Sequence, residues 1–296
     1  MGTFLSIWTD LLGSEVRFGG TRWRTRYVVA GQGFPLFLLH GTGGHLENWA
    51  RNIAPLSRDF RVIAPDFLWH GLSQTKPFDP EIVPTLIDQI IDLMDTLGIE
   101  RAAFDAQSMG GWVAMRLALA YPDRVAALVL TTTQGYQPDA GAVPGYVEPD
   151  WSQNLPSTLA ALHDANFDTV RTRMARILAD PARLTDEAIA VRMAIYARPE
   201  VAAAQEAFNR EYLGMGPLSR QHMVTDADAR RITAPVLVYW GDKNRTPPAL
   251  GEHIARTVAQ GQFHCAADCG HWAQFESADE HNRVVAGFLK EQGLAR

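Results

Sequence analysis

The sequence predicts an α/β fold: a mostly parallel sheet with helices on its faces, interrupted in the second half of the chain by a block of helices. Three observations predict it. Short continuous apolar runs alternate with amphipathic segments through the first 137 residues, the pattern of strands buried on both faces and joined by crossover helices. Between 138 and 225 helical segments continue but no convincing strand appears. From 226 onward the alternation resumes. The 296 residues therefore divide into a first core half, 1–137, a helical lid, 138–225, and a second core half, 226–296.

Each element has its own warrant. Ser14 to Arg17 and Thr21 to Val29 read as an antiparallel entry hairpin. Pro35-Leu36-Phe37-Leu38-Leu39 has no polar alternation, so it suits a strand covered on both faces. A Gly-rich loop follows, then a helix over about 46–56 and a strand over 60–64. Ile82, Leu86, Ile87, Ile90, Ile91 and Met94 recur at helical spacing within 80–97, and Gly98 stops that helix. A strand at 102–106, a helix at 109–120 and a strand at 125–130 complete the first half. The clearest lid helix spans 184–197, with Thr185 as N-cap and Glu187 in its first turn. Strands at 235–240 and 263–266 and helices at 248–260 and 279–292 close the chain. Ligands of open α/β sheets bind at the carboxyl ends of the strands, so a lid there covers the pocket and excludes water.

Composition narrows the function. An apolar fraction of 47% with 20% charged residues is that of an ordinary globular protein with a sizeable core. Net charge is −6 and no basic block occurs, which argues against a nucleic-acid partner. No apolar run approaches the ~18 residues of a membrane span. The opening MGTFLSIWTD lacks the charged start and apolar stretch of a signal peptide, so a cytoplasmic location is expected. Gly2 and Ser6 match the myristoylation pattern formally, a match we read as chance. The two cysteines, Cys265 and Cys269, have no second ligand pair and read as structural thiols of a reducing compartment. No metal or cofactor is expected. A small-molecule substrate is, and a homo-oligomer is compatible with the sequence.

The chemistry begins at Ala106-Gln107-Ser108-Met109-Gly110-Gly111, set between a strand and a helix. This is a nucleophile elbow, whose tight turn requires small residues two before and two after the serine. Ser108 then stands at a helix N-terminus, where free N–H groups and the dipole favour developing negative charge. The Met109 N–H is one candidate oxyanion donor. The other is the Thr42 N–H in His40-Gly41-Thr42-Gly43-Gly44, where glycines let the backbone approach a bound oxygen. A phosphate loop is the competing reading of that stretch, but no Gly-Lys-Ser/Thr follows. A serine hydroxyl needs a neighbouring base. His271, in Cys269-Gly270-His271-Trp272 just past the last strand, comes last in chain order, as the base does in folds that carry a nucleophile elbow. His45, His70, His253, His264 and His281 compete among the nine histidines.

These residues resemble the α/β-hydrolase superfamily, and within it the meta-cleavage-product hydrolases, which cut a carbon–carbon bond in ring-fission products of aromatic compounds. The resemblance covers nearly the whole chain. Its most specific stretch runs from Cys269-Gly270-His271-Trp272-Ala273-Gln274-Phe275-Glu276 through Ala278-Asp279-Glu280 to Asn282-Arg283. It implies a polar contact at Asn48, near the oxyanion loop, and a substrate-binding arginine at Arg192, which takes the oxo-acid end of the substrate. A planar guanidinium suits a carboxylate; the alternative for Arg192 is a solvated helix residue. Trp272 would line the same pocket.

The departures matter as much. Gln107 replaces the asparagine often found before the nucleophile. Trp69, in Trp69-His70-Gly71, replaces a glycine and is expected to reshape the pocket floor. At the third triad position the family has aspartate, and here Trp240-Gly241-Asp242-Lys243-Asn244 offers Asn244. Asn244 could orient His271 through its amide oxygen, a shifted loop could bring in Asp242, or the acid could be lost at a cost of up to about 10⁴ in rate. The resemblance implies a cofactor-free serine hydrolase of small dienoic oxo acids. An ester or lactone hydrolase, and a binding protein or lyase on a decayed hydrolase frame, are the alternatives. Ser108→Ala should abolish turnover while leaving the fold and the binding of a substrate analogue intact. Activity retained above a few per cent of the parent would refute the nucleophile assignment.

Overall fold

The computed structural model describes residues 6–214 and 216–295; Gly2 of the myristoylation-like pattern lies outside them. Eight strands, β1 (Glu15–Gly19), β2 (Thr25–Ala30), β3 (Phe34–Leu39), β4 (Phe60–Pro65), β5 (Ala102–Gln107), β6 (Val125–Thr131), β7 (Val236–Gly241) and β8 (Gly261–Ala266), form one sheet in the order β1-β2-β4-β3-β5-β6-β7-β8. β2 pairs antiparallel with both β1 and β4, and every other pairing is parallel.

Side-chain alternation explains why the strands read as unbroken apolar runs. Leu36 and Leu38 enter one core, Phe37 and Leu39 the other, so both faces of β3 are covered. On one face lie α2 (Ile82–Thr96), α3 (Met109–Ala120) and α8 (Pro248–Thr257), and on the other α1 (Ala50–Leu56) and α9 (Ala278–Glu291).

Between β6 and β7 the chain builds α4 (Leu155–His163), α5 (Phe167–Ala175), α6 (Asp186–Tyr196) and α7 (Pro199–Gly214). Thr185 caps α6 through Oγ1, which accepts from the Ala188 N–H at 3.2 Å. These helices have a small core of their own, including Leu162, Val170, Met174 and Ile189, into which Trp272 and Phe275 of the second core half insert. The helical block is thereby packed onto the loop that carries His271.

Two expectations need correction. The segment 46–56 is not one helix but a 3₁₀ turn, Leu46–Trp49, running into α1. The insertion is not free of strand: Val224–Thr225 pairs in parallel with Tyr136–Gln137 at its base. Two residues are too few to leave a periodic signature. Among the described residues, no helix is long and apolar enough to cross a membrane.

Asp66, just past β4, ties the active face together. Its fully buried carboxylate accepts from Arg26 Nε at 2.6 Å, the Leu46 N–H at 2.7 Å and the Leu72 N–H at 2.8 Å. It thus fixes the segment leading to Asn48 and the turn after Trp69. Asp66→Ala strands the buried Arg26 guanidinium with Glu47 alone and should cost roughly 3–5 kcal/mol in chemical denaturation. A loss under about 1 kcal/mol, the range of surface pairs, would show that Asp66 does not carry this load.

Candidate active site

Ser108 joins β5 to α3 with φ 56° and ψ −118°, a strained conformation for a residue bearing a Cβ. The turn closes only because Gly110 lacks a side chain: a Cβ there would lie 2.4 Å from the Leu39 carbonyl oxygen. Met109 opens α3, so its N–H precedes the first intrahelical acceptor and is available beside Ser108. Thr42 lines the same cavity from the loop after β3. That loop is fixed by His40, whose Nε2 accepts from the Phe67 N–H at 3.0 Å while Nδ1 donates to the Gly41 carbonyl at 2.7 Å.

The structure brings Ser108, His271 and Asn244 into one line. Ser108 Oγ lies 2.9 Å from His271 Nε2, and His271 Nδ1 lies 3.0 Å from Asn244 Oδ1. The amide's orientation follows from its neighbours. The Arg245 N–H, which can only donate, meets Oδ1 at 3.0 Å, while Nδ2 donates to Thr246 Oγ1 at 2.9 Å. An amide oxygen therefore faces the imidazole, His271 carries its proton on Nδ1, and Nε2 is free to accept from Ser108.

Asp242, the alternative acid, is turned away. Its Oδ1 accepts from the Cys269 N–H at 3.0 Å and its Oδ2 lies 3.4 Å from Lys243 Nζ. It braces the histidine loop rather than the imidazole. The competing histidines are each engaged elsewhere: His45 with Glu47, His70 with the Leu68 carbonyl, His253 with Asp226, His264 with Glu280 and His281 with Thr131.

His271 is held by its backbone as firmly as by its ring. Its carbonyl accepts from Thr132 Oγ1 at 2.7 Å and from Gln107 Nε2 at 3.0 Å, and its N–H donates to the Ile177 carbonyl at 2.8 Å. Glu276 adds a clamp, accepting from the Gly270 N–H at 3.0 Å and the Ala179 N–H at 2.7 Å. Gln107 lines the cavity while serving this structural bond.

Arg192 is not a solvated helix residue: it is 1% exposed, and its Nη2 donates to Asn48 Oδ1 at 3.0 Å. Both residues line the cavity with Ser108 and His271, as does Trp272, which stacks on Phe275 at 4.1 Å. Trp69 does not form the floor. Its indole is buried against Phe78 and Phe208 and donates to the Pro77 carbonyl at 3.0 Å. It reaches the cavity only through Phe208, which stacks on the lining residue Tyr212.

Three further arginines line the cavity and were not anticipated: Arg173, Arg176 and Arg245. Arg245 directly follows Asn244 in sequence, an adjacency that was visible; Arg173, near the end of α5, and Arg176, just past it, were not, because that segment has no distinctive period. The charge on Arg245 and, above all, enclosure of the ring push the His271 pKa down to about 4. Among the described residues no cluster of histidines, cysteines or acids is arranged to hold a metal ion.

A family model for the alpha/beta hydrolase fold matches residues 35–278. The chain is 30% identical over 294 residues to a 2-hydroxymuconate semialdehyde hydrolase of Pseudomonas sp. (strain CF600), covering 96% of each protein. It is 31% identical to a 2-hydroxy-6-oxo-6-phenylhexa-2,4-dienoate hydrolase of Comamonas testosteroni, over 90% of this chain and 91% of the relative. The solved structure of the enzyme of that name from Rhodococcus sp. strain RHA1 superposes with a TM-score of 0.79 at 25% identity, over 94% of this chain and 99% of that one. The chain belongs to the α/β-hydrolase family and, within it, to the meta-cleavage product hydrolases.

Asn244→Asp should keep or raise kcat/KM at neutral pH, since the carboxylate can accept from Nδ1–H, from Arg245 N–H and from a rotated Thr246 hydroxyl. Asp242→Asn, which can still accept from Cys269 N–H, should change kcat/KM by less than about threefold, on the scale of surface electrostatics. A loss of orders of magnitude there would return Asp242 to the triad. The pH profile gives a second check. His271 acts as a base only when neutral, so activity should persist until pH falls to about 4, not fail near the ordinary imidazole value of about 6.5. A carboxylate at 244 favours the imidazolium, so Asn244→Asp should move this acid limb upward.

Proposed function

We propose that the protein hydrolyses the carbon–carbon bond beside the ketone of a small 2-hydroxy-6-oxo dienoic acid formed by fission of an aromatic ring. One observation carries this reading. The Ser108–His271–Asn244 line opens into a cavity whose wall holds a buried arginine, Arg192, aligned by Asn48. The relatives' names supply the substrate class.

The residues divide the work as follows. Arg192 and Asn48 receive the carboxylate end and place the ketone over Ser108. His271 Nε2 takes the proton of the attacking oxygen, and the N–H groups of Thr42 and Met109 hold the oxygen that becomes negative. The C–C bond then breaks, and its electrons pass to the dienoate fragment, which takes up a proton. Water supplies the hydroxyl of the released carboxylic acid. Asn244 keeps the imidazole in the working tautomer but brings no negative charge, so it stabilises the imidazolium less than an aspartate would.

The same geometry serves acyl transfer from an ester or lactone. A buried cation in the cavity favours an acidic substrate over a neutral ester. The intact bond distances from serine to histidine to amide speak against a decayed frame. We further propose a cytoplasmic protein acting on small molecules without nucleic acid or membrane. The exposed apolar residues Trp8, Leu12, Val16 and Phe18 support a homo-oligomer.

Arg192→Ala should weaken a dienoate carboxylate by about 10-fold to 150-fold, the worth of a charge-assisted contact, and neutral nitrophenyl esters far less. Steady-state kinetics on both substrate types provides the comparison. Equal losses would assign Arg192 a structural role, and hydrolysis of esters with no cleavage of the coloured dienoate would favour the esterase reading.

A further inference from the structure

The cavity is a cationic island in an acidic protein. Four arginines line it, Arg173, Arg176, Arg192 and Arg245, and no carboxylate does. Elsewhere arginines find acids: Arg26 meets Asp66, Arg116 meets Asp228 and Arg124 meets Asp95. Among the described residues none of the cavity four forms an ion pair. One carboxylate accounts for one or two of them.

The four fall into two pairs. The inner pair, Arg192 and Arg173, flanks Tyr196, with guanidinium carbons 5.9 and 5.6 Å from the ring centroid. Both keep a buried Nε without a partner. The outer pair, Arg176 and Arg245, shares one neutral acceptor: Asn154 Oδ1 receives Arg176 Nη2 at 3.2 Å and Arg245 Nη1 at 2.9 Å. Ser157 Oγ takes Arg176 Nη1 at 3.2 Å, and Arg245 lies over the Trp151 ring at 5.5 Å. Both guanidiniums are exposed at the edge of the cavity, converge on an uncharged oxygen and have no acid among the cavity's lining residues. Each retains donors of the five it carries, in the forked arrangement that suits a carboxylate.

Sheet order separates the pairs. The inner pair sits against the loop after β3, where Arg173 crowds Gly43 and Arg192 holds Asn48. Arg245 follows β7, and the order β3-β5-β6-β7 places Ser108, at the end of β5, between the two loops. A substrate with its oxo-acid end at Arg192 and its ketone at Ser108 therefore directs its acyl tail toward Arg176 and Arg245.

We propose that the outer pair is a second anion subsite and that the substrate is a diacid, bearing its second carboxylate on the acyl fragment. Hydrolysis of such a substrate adds the hydroxyl of water to the acyl carbon and a proton to the dienoate carbon, so the released acid is a dicarboxylic acid. The subsite has a catalytic consequence. Arg245 disfavours the His271 imidazolium, and Asn244 does not offset it. A carboxylate bound at Arg245 does, so the substrate itself supplies negative charge that the triad lacks.

The substrate's identity rests on the carbon–carbon hydrolase reading, but the subsite is measurable without turnover. In Ser108→Ala protein, dissociation constants are read from absorbance for a 2-hydroxy-6-oxo dienedioate and for its tail amide, identical except in that charge. The diacid should bind about fivefold tighter, the upper range for ion pairs with exposed arginines. Arg176→Gln and Arg245→Gln, each in that background, should cut the preference to below about threefold, while Arg245→Lys retains part of it. Equal binding of acid and amide by the parent would overturn the proposal, as would Gln variants that lose both ligands equally. Wild-type turnover is scored separately. If neither dienoate is cleaved, the hydrolase reading fails, while the diacid preference still decides the subsite.

Discussion

The site depends on one contact: a neutral amide oxygen, Asn244 Oδ1, 3.0 Å from the Nδ1 of an enclosed imidazole. An aspartate there would do two jobs, fixing the tautomer and stabilising the imidazolium. Asn244 does only the first. The tautomer is enforced because the amide cannot flip without setting its NH₂ against the donor-only Arg245 N–H. The imidazolium finds no anion beside it, and the charge that acts on it, on Arg245, has the wrong sign. The remaining features of the site can be understood as consequences of holding a histidine that gains little from its partner's charge.

Geometry is the first consequence. When electrostatic attraction does not hold the ring, the backbone must. Thr132 and Gln107 converge on the His271 carbonyl, Ile177 accepts from its N–H, and Glu276 pins Gly270. Two of these tethers reach the helical insertion, since Ile177 and Ala179 lie between α5 and α6 and Ala179 shares the Glu276 carboxylate. Insertion and catalytic loop therefore move as one piece at this point. The Trp272 and Phe275 rings, buried in the insertion's core, reinforce the same join.

Much of this was legible in the sequence, for definable reasons. The strands were, because both faces of the sheet are covered and the runs of Leu36 to Leu39 and Val236 to Trp240 have no polar interruption. The elbow was, because steric closure against Leu39 leaves only glycine at position 110. The partner of His271 was narrowed to Asn244, Asp242 or none, but not decided. Asp242 and Asn244 lie on one turn, and what separates them is a main-chain bond from Cys269, which has no sequence signature. Trp69 misled for a similar reason: its neighbours in sequence are site-like, but its indole finds a better-packed place beside Phe78 and Phe208. The arginine cluster was illegible because it draws on two lid helices, the segment after α5 and the turn after β7, and convergence of that kind exists only once the chain has folded.

An anionic substrate would supply the counter-charge that the cavity arginines lack. The cost of that lack falls on the inner pair: Arg192 is fully buried with no acid beside it, whereas Arg176 and Arg245 are exposed and water lessens their repulsion. The surrounding acidic surface lessens that cost little, because exposed charges beyond about 10 Å are screened at ordinary salt. A substrate that brings negative charge relieves the repulsion on entry, which is binding energy. If the charge lies near Arg245, the same relief continues as His271 becomes protonated, and there it is worth more than in the ground state. Interactions that strengthen toward the transition state raise the rate, whereas those equal in both states only tighten binding. In this arrangement the amide at 244 is no defect. With such a substrate it would make proton transfer to His271 most favourable when the anion is in place, and so would couple the chemistry to recognition.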